Sequence, residues 1–345
     1  MKIALVAPPF IPIPPPEYGG TELFVAQLAE GLARTGIEVV VYTNGESTVP
    51  TERRWLYERS AWPIKRPERA WMRELNHSSW AIQSALKDCD LVHVQSPQAL
   101  AFSWFARRPF VLTLHGPHED YLSEYYSRYP EVQYVSISEA QGRQESMPRL
   151  QTIHHGIDLS QYRLVESKQP YLSFIGRIAP IKGTHIAIAV SQRTGIALKI
   201  AGEVQPAYRE YFEKIIRPKI DGKLVEYVGG ADLAAKNELL GNSMAMLFPI
   251  QWSEPFGLVM VEAMACGTPV LALPGGSVQE VVREGVSGHI CRSIPQLSKR
   301  VQGLNLSAAT VRQYVEDNFS LGRMVRRYSE LYQNVLAGFR EQNAA

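Results

Sequence analysis

The stretch Met244–Leu273, MAMLFPIQWSEPFGLVMVEAMACGTPVLAL, decides the fold. It opens on MAMLFP, an apolar run of strand length ending in proline. A polar loop follows and ends at Gly257. From Leu258 to Ala265 the residues are mostly apolar and predict a helix, closed by Gly267 and Pro269. Pro269–Leu273 (PVLAL) is again a short apolar run. Strand, helix and strand, with the strands apolar on both faces, is the unit of a parallel sheet covered on each side.

The same alternation extends in both directions. Upstream, Tyr171–Ile175, Ala197–Ala201 and Leu224–Val228 read as strands, with helices predicted at Thr184–Arg193, Ala207–Lys219 and Asp232–Asn242. An earlier series stands at Lys2–Ala7, Ile37–Thr43, Leu91–Gln95, Phe110–His115 and Val132–Ile137, with helix-length stretches at Thr21–Arg34 and Ala99–Ala106. Gln161–Pro170 is polar, aperiodic and ends in proline, which predicts a domain boundary. The expected organisation is α/β: two Rossmann-like, doubly wound parallel-sheet domains, 1–165 and 166–320, facing across a cleft. In such sheets ligands lie outside the carboxyl ends of the strands. Leu321, Met324, Tyr328, Leu331, Val335 and Phe339 recur at helical spacing, so a C-terminal helix at about 321–340 is expected to pack on a domain.

Composition excludes several classes. In 345 residues, 36 Lys and Arg nearly balance 34 Asp and Glu, which gives no global basis for nucleic-acid binding. Cys89, Cys266 and Cys291 show neither zinc spacing nor a CxxC pair, so reduced core thiols and a cytoplasmic setting are expected. Pro8-Pro9 interrupts the first apolar run before a signal sequence forms. The tract Ile11–Pro16 (IPIPPP) predicts a stiff loop after the first strand.

The familiar nucleotide and hydrolase motifs are absent: no G-x-G-x-x-G, no P-loop, no G-x-S-x-G and no H-E-x-x-H. Asp88-Cys89-Asp90 has the form of a DxD metal site, but it precedes a strand, whereas a ligand site belongs at a strand exit. No metal site is expected. Four other features carry chemistry. Gly19-Gly20 before a helix allows backbone N–H groups to approach an anion; a turn capped by Thr21 is the plainer alternative. Arg177 and Lys182, beside Gly176 and Gly183 after YLSFI, suit a diphosphate, since arginine forks two oxygens and lysine adds a point charge. Glu254 at the mouth of the Gly257 helix and Glu262 within it suit paired vicinal hydroxyls. A buried Glu262 would need a ligand or a partner. His115 stands at the exit of FVLTLH before a Gly-Pro turn.

With YGGTE, His115-Gly116, Gly156-Ile157-Asp158, GR…KG at Gly176–Gly183 and EPFGLVMVEAMACGTPV at Glu254–Val270, the chain resembles the family-4 retaining glycosyltransferases of the GT-B fold. The last stretch is that family's E-x7-E motif. The resemblance implies a nucleotide-sugar held mainly by the C-terminal domain, and a terminal helix crossing back to the N-terminal one. It implies that Arg177 and Lys182 hold the diphosphate and that Glu262 takes the ribose. Glu254 would contact the donor sugar, with the amides of Phe256, Gly257, Leu258 and Val259. Gly19 and Gly20 would approach the phosphates, His115 the sugar and reacting centre, and the loop through Ala231 the base. His155 stands where the family often has asparagine, and Asp158 reads as structural.

The implied activity is transfer with retention from a UDP-sugar, or next a GDP-mannose, to a sugar or lipid-linked hydroxyl acceptor, without cofactor or metal. An epimerase or phosphorylase of the same architecture, or a non-catalytic sugar-nucleotide-binding subunit, are the alternatives; E-x7-E argues against the first. Residues 53–73 carry seven Lys or Arg against Glu58 and Glu68, with Trp55, Trp62 and Trp71. They read either as a peripheral membrane or anionic-acceptor surface, or as a loop whose tryptophans pack on the domain.

Overall fold

Seven strands of the first half pair in parallel into one sheet: β1 (Lys2–Val6), β2 (Glu38–Asn44), β3 (Glu52–Tyr57), β4 (Leu91–Val94), β5 (Phe110–Leu114), β6 (Gln133–Ser136) and β7 (Leu150–Thr152), in the order β3-β2-β1-β4-β5-β6-β7. Six more make a second parallel sheet: β8 (Gln169–Ile175), β9 (Ala197–Ala201), β10 (Val225–Gly229), β11 (Ser243–Phe248), β12 (Val270–Ala272) and β13 (Gly288–Ile290), in the order β10-β9-β8-β11-β12-β13. This is a computed structural model, and it describes residues 1–16 and 19–344. The chain separates into two units, Met1–Gly156 with the terminal segment from Leu321, and Ile157–Ser320.

In the first unit the sheet is covered on both faces. One face packs Ile3, Leu5 and Val111 against helix α1 (Gly20–Arg34) and against the terminal helix Leu321–Ala344, which contributes Met324, Val325, Tyr328 and Tyr332 to the core. The other face packs Ala4, Val92 and Leu112 under helix α2 (Pro67–Asp88) through Ala81, Ile82 and Ala85. A buried polar chain ties the terminal helix to the sheet. Tyr332 Oη lies 2.7 Å from His93 Nδ1, His93 Nε2 2.8 Å from Thr113 Oγ1, and Thr113 Oγ1 2.9 Å from Tyr328 Oη. With partners on both nitrogens, a fully buried imidazole costs little.

The boundary falls earlier than the 165/166 expected. Residues 157–165 belong to the second unit because that unit holds their backbone. Arg312 donates to the carbonyls of Leu159 (3.1 Å) and Tyr162 (2.8 Å), and the Val165 amide donates to Cys266 O at 3.2 Å. Polar composition marked the segment, but its side chains did not show what holds it.

Residues 53–73 are a second correction. They form edge strand β3, a linker and the start of α2 instead of a single loop, and their tryptophans are only partly covered: Trp55 is 40% exposed, Trp62 37% and Trp71 52%. The stretch at Ala99–Ala106 is a run of tight 3-10 turns, Pro97–Phe105, and Ala207–Lys219 breaks into short turns. Asp88 and Asp90 stand at the amino end of β4, where Asp88 pairs with Arg54 and, at 2.9 Å, with Lys2 Nζ. Asp90 accepts from Lys2 N at 2.8 Å. Both acids thus have partners at the amino ends of the strands. No group of metal-ligating side chains is present among the described residues.

Candidate functional site

Each sheet reverses its winding once, between β8 and β11 in the second unit and between β1 and β4 in the first. Ligand sites in open α/β sheets form outside the strand ends at that point.

At the β8/β11 reversal, Gly176 and Arg177 follow β8, and Lys182 follows within the same loop. The loop Ile250–Phe256 follows β11. The two loops are pinned together: Gln251 N donates to Ile181 O at 2.7 Å, and Gly183 (φ 75°) lies so close to Pro249 that a Cβ would sit 1.9 Å from its carbonyl oxygen. Only glycine fits there. This packing brings Lys182 Nζ to 2.6 Å from Glu254 Oε2. Trp252 completes the arrangement: its Nε1 donates to the same oxygen at 2.7 Å, and Lys182 Nζ lies 4.5 Å from its ring centroid. The Lys182 and Glu254 side chains are only 16% and 9% exposed, so each is the other's main source of charge compensation.

The backbone of Glu254 is fixed from behind. Ser277 N donates to Glu254 O at 2.9 Å, and Ser277 Oγ to Phe256 O at 2.8 Å. Beyond Phe256, Gly257 (φ 78°) opens the helix Leu258–Ala265 with no side-chain cap. Three other helices of this unit are capped by Asp232, Ser293 and Ser307. The first-turn N–H groups at Leu258 and Val259 lack intrahelical acceptors, so this end is open to an anion.

Glu262, one helical turn inside, is 2% exposed. It has the partners its burial requires: Tyr162 Oη donates at 2.9 Å and Lys236 Nζ at 3.1 Å. Arg177 is half-buried, with Nη1 3.5 Å from Gln205 Oε1. Ala231 follows Gly229 (φ 85°), whose carbonyl accepts from Gly202 N at 2.7 Å.

In the first unit, Gly19 and Gly20 lead into α1. A Cβ at Gly20 would meet nothing within 4 Å, so the space beside it is open, whereas one at Gly19 would press on Pro15 and the Glu22 carboxyl. Tyr18 lies outside the described residues. His115 follows β5, with Nε2 2.8 Å from Gln95 Oε1 at the exit of β4. Its ring stacks on His155 (centroids 5.8 Å apart, 18° between planes) and meets the edge of Phe24 at 5.1 Å. Asp158 caps a short turn, accepting from Ser160 N at 3.1 Å.

Burial holds His115 and His93 down at about 3 and His77 at about 4. All three are therefore neutral at physiological pH, while in the unfolded chain they protonate near 6.5. A depressed folded value means that stability is present above about pH 6.5 and is lost as pH falls toward the folded values. For the fully buried pair, His77 and His93, the expected loss is roughly 1.4 kcal/mol per pH unit each. Urea unfolding at pH 7 and pH 5 checks this: the midpoint should fall markedly, and an unchanged midpoint would contradict it.

The structure thus brings together Lys182, Glu254 and the Gly257 helix, and separately places His115 beside Gln95. Trp252, the Gly276-Ser277 turn, Tyr162, Lys236 and Gln95 were not expected from sequence. Of these only the turn left a signal, the Pro274-Gly275-Gly276-Ser277 cluster.

The family model described as "Glycosyltransferase Family 4" matches residues 18–200, more than half of the chain, and "Glycosyl transferases group 1" matches 159–304. A D-inositol 3-phosphate glycosyltransferase of Mycobacterium marinum is 28% identical over 177 residues, which are 47% of this chain and 38% of that one. The match therefore spans well under half of that relative's length. AviGT4, a glycosyltransferase involved in avilamycin A biosynthesis, superposes with a TM-score of 0.72 and 26% identity over 98% of both chains. Anabaena Alr3699/HepE, solved in complex with UDP, has a TM-score of 0.75 and 18% identity, covering 97% of this chain and all of its own.

Proposed function

We propose that this chain, which belongs to glycosyltransferase family 4 and has the GT-B fold, transfers a sugar from a nucleotide-diphosphate sugar to a hydroxyl acceptor with retention at the anomeric carbon. The observation that carries the reading is the Lys182–Glu254 pair at the β8/β11 reversal, beside an uncapped helix end. A fixed cation and open N–H groups suit a diphosphate, and a carboxylate next to them suits sugar hydroxyls.

On this reading Arg177 and Lys182 hold the diphosphate, and the amides from Phe256 to Val259 assist. Glu254 holds the donor sugar, and Glu262, with Lys236 beside it, the ribose. Ala231 lies by the base. The bond from the anomeric carbon to the β-phosphate oxygen breaks while the acceptor oxygen bonds on the same face. The acceptor's proton passes to the departing phosphate oxygen. Arg177, Lys182 and the helix end offset the charge that develops there, so the chemistry needs no metal.

Calorimetric titration of UDP, GDP and ADP in excess chelator tests the donor side. UDP comes first because a neighbour of the same fold holds it. One nucleotide should bind; binding of none, or binding rescued only by a divalent ion, would overturn the metal-free reading.

A peripheral membrane contact accompanies this function. At the start of α2 and the loop before it, Trp62, Ile64, Trp71 and Met72 are exposed by 37 to 58%, interleaved with exposed Lys65, Arg66 and Arg69. Tryptophan with basic residues suits an anionic lipid surface. No helix among the described residues is long and apolar enough to cross a membrane. Co-flotation with acidic but not neutral liposomes is expected, and its absence would remove this contact.

A further inference from the structure

A diphosphate at Lys182 competes with Glu254 for one ammonium. A phosphate that draws the ammonium away leaves a largely buried carboxylate short of compensation beside an incoming anion, and breaking a buried pair in this way is strongly unfavourable. The side chain placed to prevent this is Trp252, half-buried in the loop that follows β11.

The backbone of Trp252 is set by the fold. Its neighbour Gln251 donates from N to Ile181 O at 2.7 Å, and Gly275 is packed so closely that a Cβ there would sit 2.6 Å from Trp252 O. From this anchored position the indole touches both charged groups. Nε1 donates to Glu254 Oε2 at 2.7 Å, and the ring centroid lies 4.5 Å from Lys182 Nζ. Lys182 Nζ is itself 2.6 Å from the same carboxylate oxygen.

Both donors thus converge on Oε2. Oε1 has no hydrogen-bond partner among the described residues and is not sealed from solvent, so that oxygen is left to accept from a ligand. The ammonium carries three N–H groups, and Glu254 takes one of them. The indole N–H is neutral and fixed, so it stays on Glu254 when the ammonium turns, and as a bond to a charged acceptor it is stronger than a neutral one. The electron-rich face of the ring attracts the ammonium and keeps it from swinging out of the pair.

We propose that Trp252 is a positioning residue for the transfer. Through its N–H it holds Glu254 with Oε1 toward a donor-sugar hydroxyl. Through its ring it keeps Lys182 within reach of two anions, so that the ammonium turns its spare N–H groups to the diphosphate without deserting Glu254. The role rests on the donor reading above and adds to it the group that lets one lysine serve both. A leucine in the same loop would fill space and do neither.

The test is calorimetry in excess chelator, with whichever of UDP, GDP and ADP the wild-type chain binds. Trp252→Phe keeps a ring face and loses the N–H; it should weaken binding about tenfold, the scale of one hydrogen bond to a charged group. Trp252→Leu loses the face as well and should weaken binding further. In a Glu254→Gln background the carboxylate that needs the indole is gone, and Trp252→Phe should change the affinity by less than about twofold. A tryptophan that only filled space would cost the same in both backgrounds. Benzothienylalanine at position 252 has the shape of tryptophan without the N–H, and it repeats the comparison should Trp252→Phe fold poorly. Equal effects in the two backgrounds, or an unchanged affinity without the N–H, would overturn the role and leave the donor reading standing. Failure of the wild-type chain to bind any of the three nucleotides would overturn both.

Discussion

Lys182→Ala is expected to lower kcat/KM for the nucleotide-sugar by about 10²–10³-fold, the usual consequence of removing one preorganised group from the site of developing charge. It should also destabilise the protein. Glu254 is 7% exposed and shares Lys182 with Trp252. Without the ammonium, one indole N–H remains to compensate a largely buried carboxylate. Removing one member of such a pair costs about 3–5 kcal/mol, whereas removing both costs less. Lys182→Met with Glu254→Gln should therefore recover much of the stability and none of the activity. Denaturant unfolding beside initial-rate kinetics separates the two effects. A single variant that kept both wild-type stability and wild-type rate would contradict the placement of this pair in the site.

The second large effect is expected away from any charged group. Gly276 (φ 54°) lies so close to Glu254 that a Cβ there would sit 2.1 Å from its carbonyl oxygen and 2.4 Å from its nitrogen. Gly276→Ala must push back the segment that aims Glu254. We expect a loss of about 2–4 kcal/mol in stability. We also expect roughly 100-fold in kcat/KM, the scale of an ångström-sized misplacement at a reacting centre. Gly285 is the control: it has a similar positive φ of 71°, but a Cβ there would meet nothing within 4 Å. Gly285→Ala should cost only the backbone strain, about 1–2 kcal/mol, and leave the rate alone. Equal kinetic effects from the two alanines would show that strain alone, not the press on Glu254, is responsible.

These two variants mark where the sequence was legible and where it was not. The strand series and the E-x7-E helix could be read because burial on both faces leaves uninterrupted apolar runs, as in LVHV and MAMLF. Edge strand β3 (ERRWLY) could not: half-exposed on both faces, it has neither an apolar run nor an alternation. Helix α2 escaped because much of its buried face is small or polar, with His77, Ser78, Ala81 and Ala85. Within the site, Lys182 and Glu254 were legible as chemistry at strand exits. Their direct pairing was not, since it depends on Gly183 and Pro249 meeting from loops 66 residues apart in the chain. Gln95 gave no signal, because its role arises only when β4 and β5 lie side by side.

The terminal helix has a consequence for biosynthesis. A ribosome releases the chain from its amino end, yet one face of the first sheet has only α1 to cover it until Met324, Val325, Tyr328 and Tyr332 have emerged. His93 must likewise wait for Tyr332 to satisfy Nδ1. The second unit, Ile157–Ser320, has all its strands in hand before that helix begins. The half made first is thus completed last, and a nascent chain stalled before Leu321 would carry one finished unit and one with a partly uncovered apolar face, the kind of surface that recruits chaperones.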